Sequence, residues 1–192
     1  MSDVKNIMIV GVGGQGSLLA SRILGNALMA QGYDVKVSEV HGMSQRGGSV
    51  VTYVRYGKEV YSPVVCKGEA DFLISFEQLE TARWLPYLKI GGTVVTSTQK
   101  TNPMPVITGV AKYPENIIEK IQSKGVKVYS ADALGIAKKC GSEKAANVVL
   151  IGMLAANSEI PKEIFVEAVK QCVPEKFRQL NLDAFEAGYA LK

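Results

Sequence analysis

The chain has 192 residues, of which 47% are hydrophobic, 21% charged and 7% aromatic, and its formal net charge is +4. This composition is that of an ordinary globular protein that needs no metal or disulfide staple, and it excludes a disordered or fibrous chain. The small basic excess is spread along the sequence, so no nucleic-acid partner is indicated.

Cysteine usage and the apolar runs exclude further classes of protein. Cys66, Cys140 and Cys172 form no CxxC or Cys/His cluster, so the sequence supports neither a disulfide framework nor a zinc or iron–sulfur site. The longest apolar run, residues 148–156, is far shorter than the roughly 20 residues that span a bilayer. Residues 1–6 lack a signal-peptide pattern. We therefore expect a cytoplasmic protein with reduced cysteines and no membrane association.

Strands and helices alternate in the first part of the chain. Residues 7–10 are a short apolar run rich in β-branched side chains, which predicts a buried strand. Residues 17–31 repeat apolar side chains at helical spacing, and Gly32 ends this helix. Residues 35–39 form the next strand, so these segments predict a βαβ unit with a right-handed crossover.

An antiparallel hairpin is predicted next. Residues 49–56 and 59–65 are strand-like, and Gly57 and Lys58 between them suit a two-residue turn. The α/β alternation then resumes with a strand at 71–76, a helix at 78–88, a strand at 93–97, a helix from Pro114 to Lys124 and a strand at 127–130.

From Ala131 onward the sequence predicts only helices, at residues 131–139, 143–157, 161–172 and 175–190. We therefore predict one domain over residues 1–192 with a Rossmann-like α/β fold. Its mostly parallel sheet carries the antiparallel hairpin, residues 1–130 form the α/β core, and residues 131–192 form a helical C-terminal tail. Four apolar residues of this tail either contact a partner or pack on the chain's own sheet: Phe177, Leu180, Phe185 and Tyr189.

The hexapeptide GVGGQG contains the GxGxxG pattern at Gly11, Gly13 and Gly16, between a predicted strand and a predicted helix. In this pattern the glycines allow a tight turn, close approach of a phosphate and close helix packing, and the helix N-terminus attracts an anion. Together with Gly14 and Gln15 these glycines are candidates for binding a nucleotide or another phosphate-containing ligand. The alternative is that they only shape a tight turn.

A second polar loop, EVHGMSQRGGS, begins at Glu39, at the carboxyl end of a predicted strand, where open α/β sheets bind ligands. Glu39 stands where dinucleotide enzymes place a ribose-binding acid. Arg46 is suited to pairing with a phosphate or carboxylate, and His41 titrates near neutral pH. Ser44 and Gln45 complete the candidate binding residues. The alternative is a rigid loop held by hydrogen bonds or by a partner, and for His41 we favour this structural role.

GVGGQG followed by SEVHGMSQRGGSV resembles the gamma-type domain of the 2-oxoacid:ferredoxin oxidoreductases. The likeness extends along the chain to residues 71–77, 147–152 and 181–189. Within the family, residues 39–46 resemble most closely the members that act on indolepyruvate. Gly47-Gly48 departs from relatives that carry a bulkier residue at one of these positions.

This resemblance implies a subunit of a complex that oxidatively decarboxylates arylpyruvates to aryl-acetyl-CoA and transfers electrons to ferredoxin. It implies that a larger alpha subunit binds thiamine diphosphate, magnesium and iron–sulfur clusters, in an α2β2 heterotetramer. Coenzyme A is then a cosubstrate that the glycine loop helps to position. No catalytic residue of the family transfers to this chain, so we expect no activity from the chain alone.

Two other functions are weighed against this one. A stand-alone NAD(P)-dependent dehydrogenase would use Glu39 at the ribose and His41 as an acid. It would also need a substrate domain and a base, and only about 60 residues of helical tail follow the nucleotide fold. A ligand-binding module without an enzymatic partner is the third possibility.

Overall fold

A computed structural model of the chain describes residues 4–41 and 48–191, with His41 described by its backbone alone. In these residues six strands form one sheet: β1 (Lys5–Val12), β2 (Asp34–His41), β3 (Ser49–Gly57), β4 (Ala70–Ser75), β5 (Leu88–Ser97) and β6 (Lys127–Ala131). The same residues contain eight α-helices: α1 (Ser17–Ala30), α2 (Gln78–Trp84), α3 (Met104–Ile107), α4 (Ile117–Gln122), α5 (Ala133–Lys139), α6 (Ala146–Ala156), α7 (Lys162–Cys172) and α8 (Arg178–Tyr189).

The sheet is mixed, with the strand order β2-β3-β1-β4-β5-β6. β1, β4, β5 and β6 run parallel, whereas β3 is antiparallel to both β1 and β2. Thr52 of β3 therefore lies opposite Ile9 of β1 on one side and Glu39 of β2 on the other. The predicted fold class, an α/β fold with an antiparallel element and C-terminal helices, is confirmed. The β1–α1–β2 unit is present, with β3 inserted between its two strands.

The antiparallel hairpin is formed by β2 and β3, and the predicted strand at residues 59–65 is wrong. The Arg55 side chain accounts for part of the difference. Its Nη1 donates to the carbonyl oxygens of Ser62 and Val64 at 3.0 and 2.9 Å. Together with Pro63, which has no N–H to donate to a strand ladder, this contact keeps the segment after β3 from pairing as a strand.

Several element boundaries also differ from the prediction. The helix predicted over residues 78–88 ends at Trp84 and continues as a 3₁₀ turn over Leu85–Tyr87, which contains Pro86. β5 consequently begins at Leu88, earlier than predicted. The helix predicted from Pro114 begins later, at Ile117. The strand predicted over residues 127–130 is confirmed.

Side chains of β1 alternate between two hydrophobic cores, as the two-residue period of a strand requires. Ile7 and Ile9 belong to a core with α1 and the C-terminal helices α5–α8, whereas Met8 and Val10 belong to a second core on the opposite face. α6 lies at the centre of the helical layer, because it contacts the sheet as well as α1, α5, α7 and α8. It is apolar on all sides, as expected of a fully buried helix.

The C-terminal apolar residues pack mostly on the chain's own core. Phe185 is fully buried, and Leu180 and Tyr189 are half-buried against the first core. Phe177 is 45% exposed. Three of the four residues therefore pack on the chain itself, but mainly through contacts of α8 with α6 rather than directly on the sheet. The division of the chain into residues 1–130 and 131–192 stays a prediction.

Candidate functional site

The glycine loop leaves β1 at the carboxyl edge of the sheet and enters α1. Gly14 has a φ of 96° and Gly16, the N-cap residue of α1, a φ of 86°. Both angles lie in the left-handed region that favours glycine. The N–H of Gly13 donates to the carbonyl oxygen of Gly48 at 2.9 Å. Because this donor is already paired, an anion at the loop would bind N–H groups nearer the start of α1.

Gln15 braces the loop between two strands. Its Oε1 accepts the N–H of Val12 at 2.7 Å, and its Nε2 donates to the carbonyl oxygen of Phe76 at 3.3 Å. A Cβ at Gly11 would lie 2.6 Å from Gln15 Oε1, so this brace requires a glycine there. The described hydrogen bonds of Gln15 hold the loop itself, and its role in ligand binding stays a prediction.

A cavity of about 420 Å³ opens beside the loop, next to the carboxyl ends of β1, β4 and β5. This edge is where open α/β sheets bind ligands. Leu19, Phe76, Leu134 and Leu150 form an apolar lining, and the exposed Lys144 borders the cavity. Of the predicted binding residues, the cavity brings together three: Gly14, Gln15 and Gly16.

Helix α1 begins at the cavity without a side-chain cap. Its N-cap residue, Gly16, makes no side-chain hydrogen bond. The neighbouring α5 is capped by Asp132, which accepts the N–H of Gly135 at 2.9 Å. Unpaired N–H groups at a helix start carry partial positive charge and attract anions. Glu143 and Lys144 both border the cavity, but the carboxylate of Glu143 is paired with Lys138 at 3.0 Å. Beside Lys144 and the start of α1, the cavity suits an anionic group attached to a largely apolar ligand.

Glu39 lies on the other side of the glycine loop. A second cavity, of about 400 Å³, is bordered by Gly13, Ser17, Glu39 and Val50. Glu39 Oε2 accepts hydrogen bonds from Ser17 Oγ at 3.3 Å and from Thr52 Oγ1 at 3.2 Å. A carboxylate at the first turn of a helix is stabilised by the helix dipole. Glu39 thus connects β2 with β3 and with α1, and its contact with a ribose stays a prediction.

The second polar loop lies between β2 and β3 in the sequence. Three predicted binding residues lie outside the described residues: Ser44, Gln45 and Arg46. The side chain of His41 also lies outside them, while its backbone pairs opposite Val50. The carbonyl oxygen of Gly48, directly after this segment, accepts the N–H of Gly13. The two loops are therefore adjacent at their bases.

Two buried carboxylates at the start of α2, which the sequence did not indicate, join neighbouring segments of the chain by hydrogen bonds. Glu80 is 4% exposed, and its Oε2 accepts the hydroxyl of Ser49 and the indole N–H of Trp84, the latter at 3.2 Å. Glu77 is 1% exposed, and its Oε1 accepts the N–H of Thr101 at 3.1 Å and the hydroxyl of Tyr113. Burial and, next, the hydrogen bond to Glu77 raise the pKa of Tyr113.

Asn147 links α6 to the glycine loop. Its side chain is buried, and Nδ2 donates to the carbonyl oxygen of Gly16 at 2.9 Å. In the sequence, Asn147 only belongs to the segment that carries the family resemblance. An amide inside an apolar helix is a signal that could have pointed to this contact, because buried amides need hydrogen-bond partners.

Comparison with known proteins identifies the family. The chain matches the family described as "Pyruvate ferredoxin/flavodoxin oxidoreductase" over residues 6–191. The chain belongs to this family. The indolepyruvate oxidoreductase subunit IorB of Thermococcus kodakarensis is 44% identical to it over 190 residues, which cover 95% of this chain and 93% of that protein. The IorB subunit of Pyrococcus horikoshii is 43% identical over 188 residues, 95% of this chain and 93% of that protein.

More distant members share the fold along nearly the whole chain. The 2-oxoglutarate synthase subunit KorC of Methanothermobacter marburgensis is 31% identical over 97% of this chain and 96% of that protein. The gamma subunit of a keto/oxoacid ferredoxin oxidoreductase from Geobacter sulfurreducens superposes with a TM-score of 0.72 and 26% identity, covering 97% of this chain and 96% of that one. Subunit PORC of the Thermotoga maritima pyruvate oxidoreductase superposes with a TM-score of 0.75, at 20% identity, over 98% and 96% of the two chains.

Family membership and strand order both disfavour the dehydrogenase alternative. The dinucleotide-binding fold places its ribose-binding acid on the strand next to β1. In this family member β3 lies between β1 and β2, so Glu39 is not on a neighbouring strand. Within residues 4–41 and 48–191, no group of three or more His, Cys, Asp or Glu side chains is placed to hold a metal ion. No helix in the described part of the chain is long and apolar enough to cross a membrane.

Proposed function

We propose that this family member is the accessory subunit of an indolepyruvate:ferredoxin oxidoreductase. The complex would oxidatively decarboxylate indolepyruvate and other arylpyruvates to aryl-acetyl-CoA and transfer the electrons to ferredoxin. The gradient of sequence identity carries this proposal. Identity is 44% and 43% to two IorB subunits, but 31% to a KorC subunit and 26% to a common gamma subunit of pyruvate/ketoisovalerate oxidoreductases.

In this proposal the chain assembles with a larger subunit that binds thiamine diphosphate, magnesium and iron–sulfur clusters, as two large and two small subunits. The segment between Thr101 and Tyr113 supports a partner at the carboxyl edge of the sheet. It exposes Met104 (65%), Ile107 (65%) and Val110 (83%), and it follows the end of β5 that borders the cavity. Apolar patches beside a ligand cavity are typical of protein contacts.

Coenzyme A is the ligand that we assign to the cavity beside the glycine loop. Its phosphate groups suit the uncapped start of α1 and the ammonium group of Lys144, and its pantetheine arm suits the apolar lining. The predicted roles of Glu39, His41, Ser44, Gln45 and Arg46 belong to the same proposal. Arg46 would add a guanidinium group for a second anionic contact.

The complex is tested by expressing the chain alone and together with its large subunit. Reduction of ferredoxin is measured with indolepyruvate, pyruvate or 2-oxoglutarate in the presence of coenzyme A. We expect no activity from the isolated chain, and in the complex a higher kcat/KM for indolepyruvate than for the other two acids. Activity of the isolated chain, or a preference for 2-oxoglutarate, would overturn the proposal.

The coenzyme A site is tested in the same complex with Lys144→Glu. Reversing this charge should raise the KM for coenzyme A and leave the KM for indolepyruvate unchanged, because only the cosubstrate carries phosphates to this cavity. Lys124→Glu is the control, since Lys124 is exposed and does not line the cavity. An unchanged KM for coenzyme A in Lys144→Glu would argue against this cavity as its site.

A further inference from the structure

Both polar atoms of the buried Asn147 amide make a hydrogen bond to the backbone. Its Nδ2 donates to the carbonyl oxygen of Gly16 at 2.9 Å, and its Oδ1 accepts the N–H of Val148 at 2.8 Å. An acceptor on one side and a donor on the other define the orientation of the amide. The side chain is 2% exposed and comes from α6, 131 residues along the chain from the loop that it contacts.

Asn147 and Gly16 fit each other sterically. A Cβ at Gly16 would lie 2.5 Å from Asn147 Nδ2, so the amide occupies the space that any larger residue at position 16 would need. Gly16 also has the left-handed φ of 86° that favours glycine. The shape of the loop at the start of α1 is therefore set jointly by a glycine in the loop and an asparagine in another helix.

The hydrogen bond to Gly16 also orients a backbone donor. The carbonyl of Gly16 and the N–H of Ser17 belong to one planar trans peptide unit and point in opposite directions. Fixing the carbonyl oxygen between Asn147 Nδ2 and the N–H of Ala20, at 2.9 and 3.2 Å, therefore fixes the direction of the Ser17 N–H. Ser17 is the first residue of α1, where no side chain caps the helix.

We propose that Asn147 is a positioning residue for coenzyme A: by holding the carbonyl of Gly16, it aims the first N–H groups of α1 at an anionic group of the ligand. This inference rests on the proposed function, in which the ligand of the cavity is coenzyme A. Asn147 and Gly16 both line that cavity. Asn147 acts through the backbone of the loop.

Asn147→Asp tests this role in the assembled complex. The substitution keeps the size of the side chain but places a carboxylate oxygen against the carbonyl oxygen of Gly16, so the peptide unit must turn. We expect the KM for coenzyme A to rise about tenfold, which corresponds to a loss of about 1.4 kcal/mol of binding free energy. The KM for indolepyruvate and kcat at saturating coenzyme A should stay within about a factor of two.

Asn181→Ala is the matched control. Asn181 is also a buried asparagine, and its Nδ2 also donates to a backbone carbonyl at 2.9 Å, that of Phe177, but it does not line the cavity. Its loss should lower thermal stability without changing the KM for coenzyme A. Asn147→Ser, which is uncharged and too short to span the same distance, is measured in parallel in case Asn147→Asp does not assemble. It should raise the same KM.

The outcomes separate this inference from the proposed function. If Lys144→Glu raises the KM for coenzyme A while both Asn147 variants only lose stability, coenzyme A binds in the cavity but Asn147 does not position it. If the Lys144 and Asn147 variants all leave this KM unchanged, the cavity does not bind coenzyme A, and both ideas are overturned. If the KM for coenzyme A rises in the Lys144 and Asn147 variants but not in Asn181→Ala, the result supports both the coenzyme A site and the positioning role of Asn147.

Discussion

The hydroxyl of Tyr113 donates a hydrogen bond to the buried carboxylate of Glu77 and accepts one from the N–H of Leu79 at 3.1 Å. The same carboxylate accepts the N–H of Thr101 at 3.1 Å. Both ends of the segment between Thr101 and Tyr113 therefore meet at one residue, directly after β4. This contact holds the exposed apolar segment that follows β5 in a defined position.

Tyr113→Phe should lower the free energy of unfolding by about 1–3 kcal/mol, because Glu77 loses a donor and the N–H of Leu79 loses its acceptor. Urea denaturation followed by circular dichroism measures this change. Tyr61→Phe is the control: Tyr61 is 85% exposed, and its change should stay within about 0.5 kcal/mol. Equal effects of the two substitutions would contradict the structural role of the Glu77–Tyr113 contact.

Tyr56 should make stability depend on pH in the alkaline range. Burial and, to a smaller extent, the Asp71 carboxylate raise the pKa of Tyr56 from 10.0 to about 12. The unfolded chain loses this proton near pH 10 while the folded chain keeps it until about pH 12, so the free energy of unfolding falls across this window.

Tyr56→Phe removes this titration and is the comparison. The free energy of unfolding of the unsubstituted chain minus that of Tyr56→Phe should decrease as pH rises above 10, and it should be constant below this value. Urea titrations on both sides of this pH measure it. A difference that does not change with pH would show that Tyr56 keeps its ordinary pKa in the folded chain.

Close packing of α6 against α8 depends on two glycines. A Cβ at Gly188 would lie 2.0 Å from the carbonyl oxygen of Val149, and a Cβ at Gly152 would lie 2.2 Å from that of Phe185. Since backbone atoms must move to make room, Gly188→Ala should lower the free energy of unfolding by about 1–3 kcal/mol or more.

Gly25→Ala is the matched control for the helix glycines. Gly25 is buried in α1, but a Cβ there would meet nothing within 4 Å. The higher helix propensity of alanine should therefore raise the free energy of unfolding by about 0.5–1 kcal/mol. Thermal or urea denaturation measures whether the free energy of unfolding falls in Gly188→Ala and rises in Gly25→Ala. A neutral Gly188→Ala would mean that the two helices are farther apart in solution.

Val110→Glu should weaken assembly with the large subunit without destabilising the chain itself. Val110 is 83% exposed in the segment that follows β5, and a charge there would be buried in the proposed contact. Ile90→Glu is the control, because Ile90 is fully exposed near the start of β5, away from the cavity. Co-purification and size-exclusion chromatography compare the two variants. Unimpaired assembly of Val110→Glu would place the contact elsewhere.

Local patterns predicted much of the fold. The unbroken apolar run of residues 7–10 is typical of a strand buried on both faces, and this strand forms β1. The glycine loop between β1 and α1 was also predictable, because the strand and helix periodicities on either side of it are local properties. The strand predicted at residues 59–65 failed because Pro63 has no N–H for a strand ladder and Arg55 holds the segment by two of its carbonyl oxygens, a contact that β-propensity does not include.

The site was predictable only in part. The glycines and Gln15 are visible as a motif, but the role of Gln15 as a brace depends on Phe76, 61 residues away. Asn147 and Lys144 reach the cavity only because α6 folds back over the first core. The contacts of Glu77 are also decided by the tertiary structure, because its partners Thr101 and Tyr113 lie 24 and 36 residues further along the chain.

The sequence by itself determined the order of the six strands and of most helices, apart from the strand wrongly predicted at residues 59–65. It also determined the glycine loop and, through its two motifs, the family. These features depend on residues close together in the chain, where periodicity and turn chemistry act directly. Only the tertiary structure decided that β3 lies between β1 and β2, that Asn147 holds Gly16, and that α8 packs on α6. Strand pairing and buried hydrogen bonds join residues far apart in sequence, and many such pairings are compatible with the same local pattern. Which of them forms depends on how all the side chains pack together.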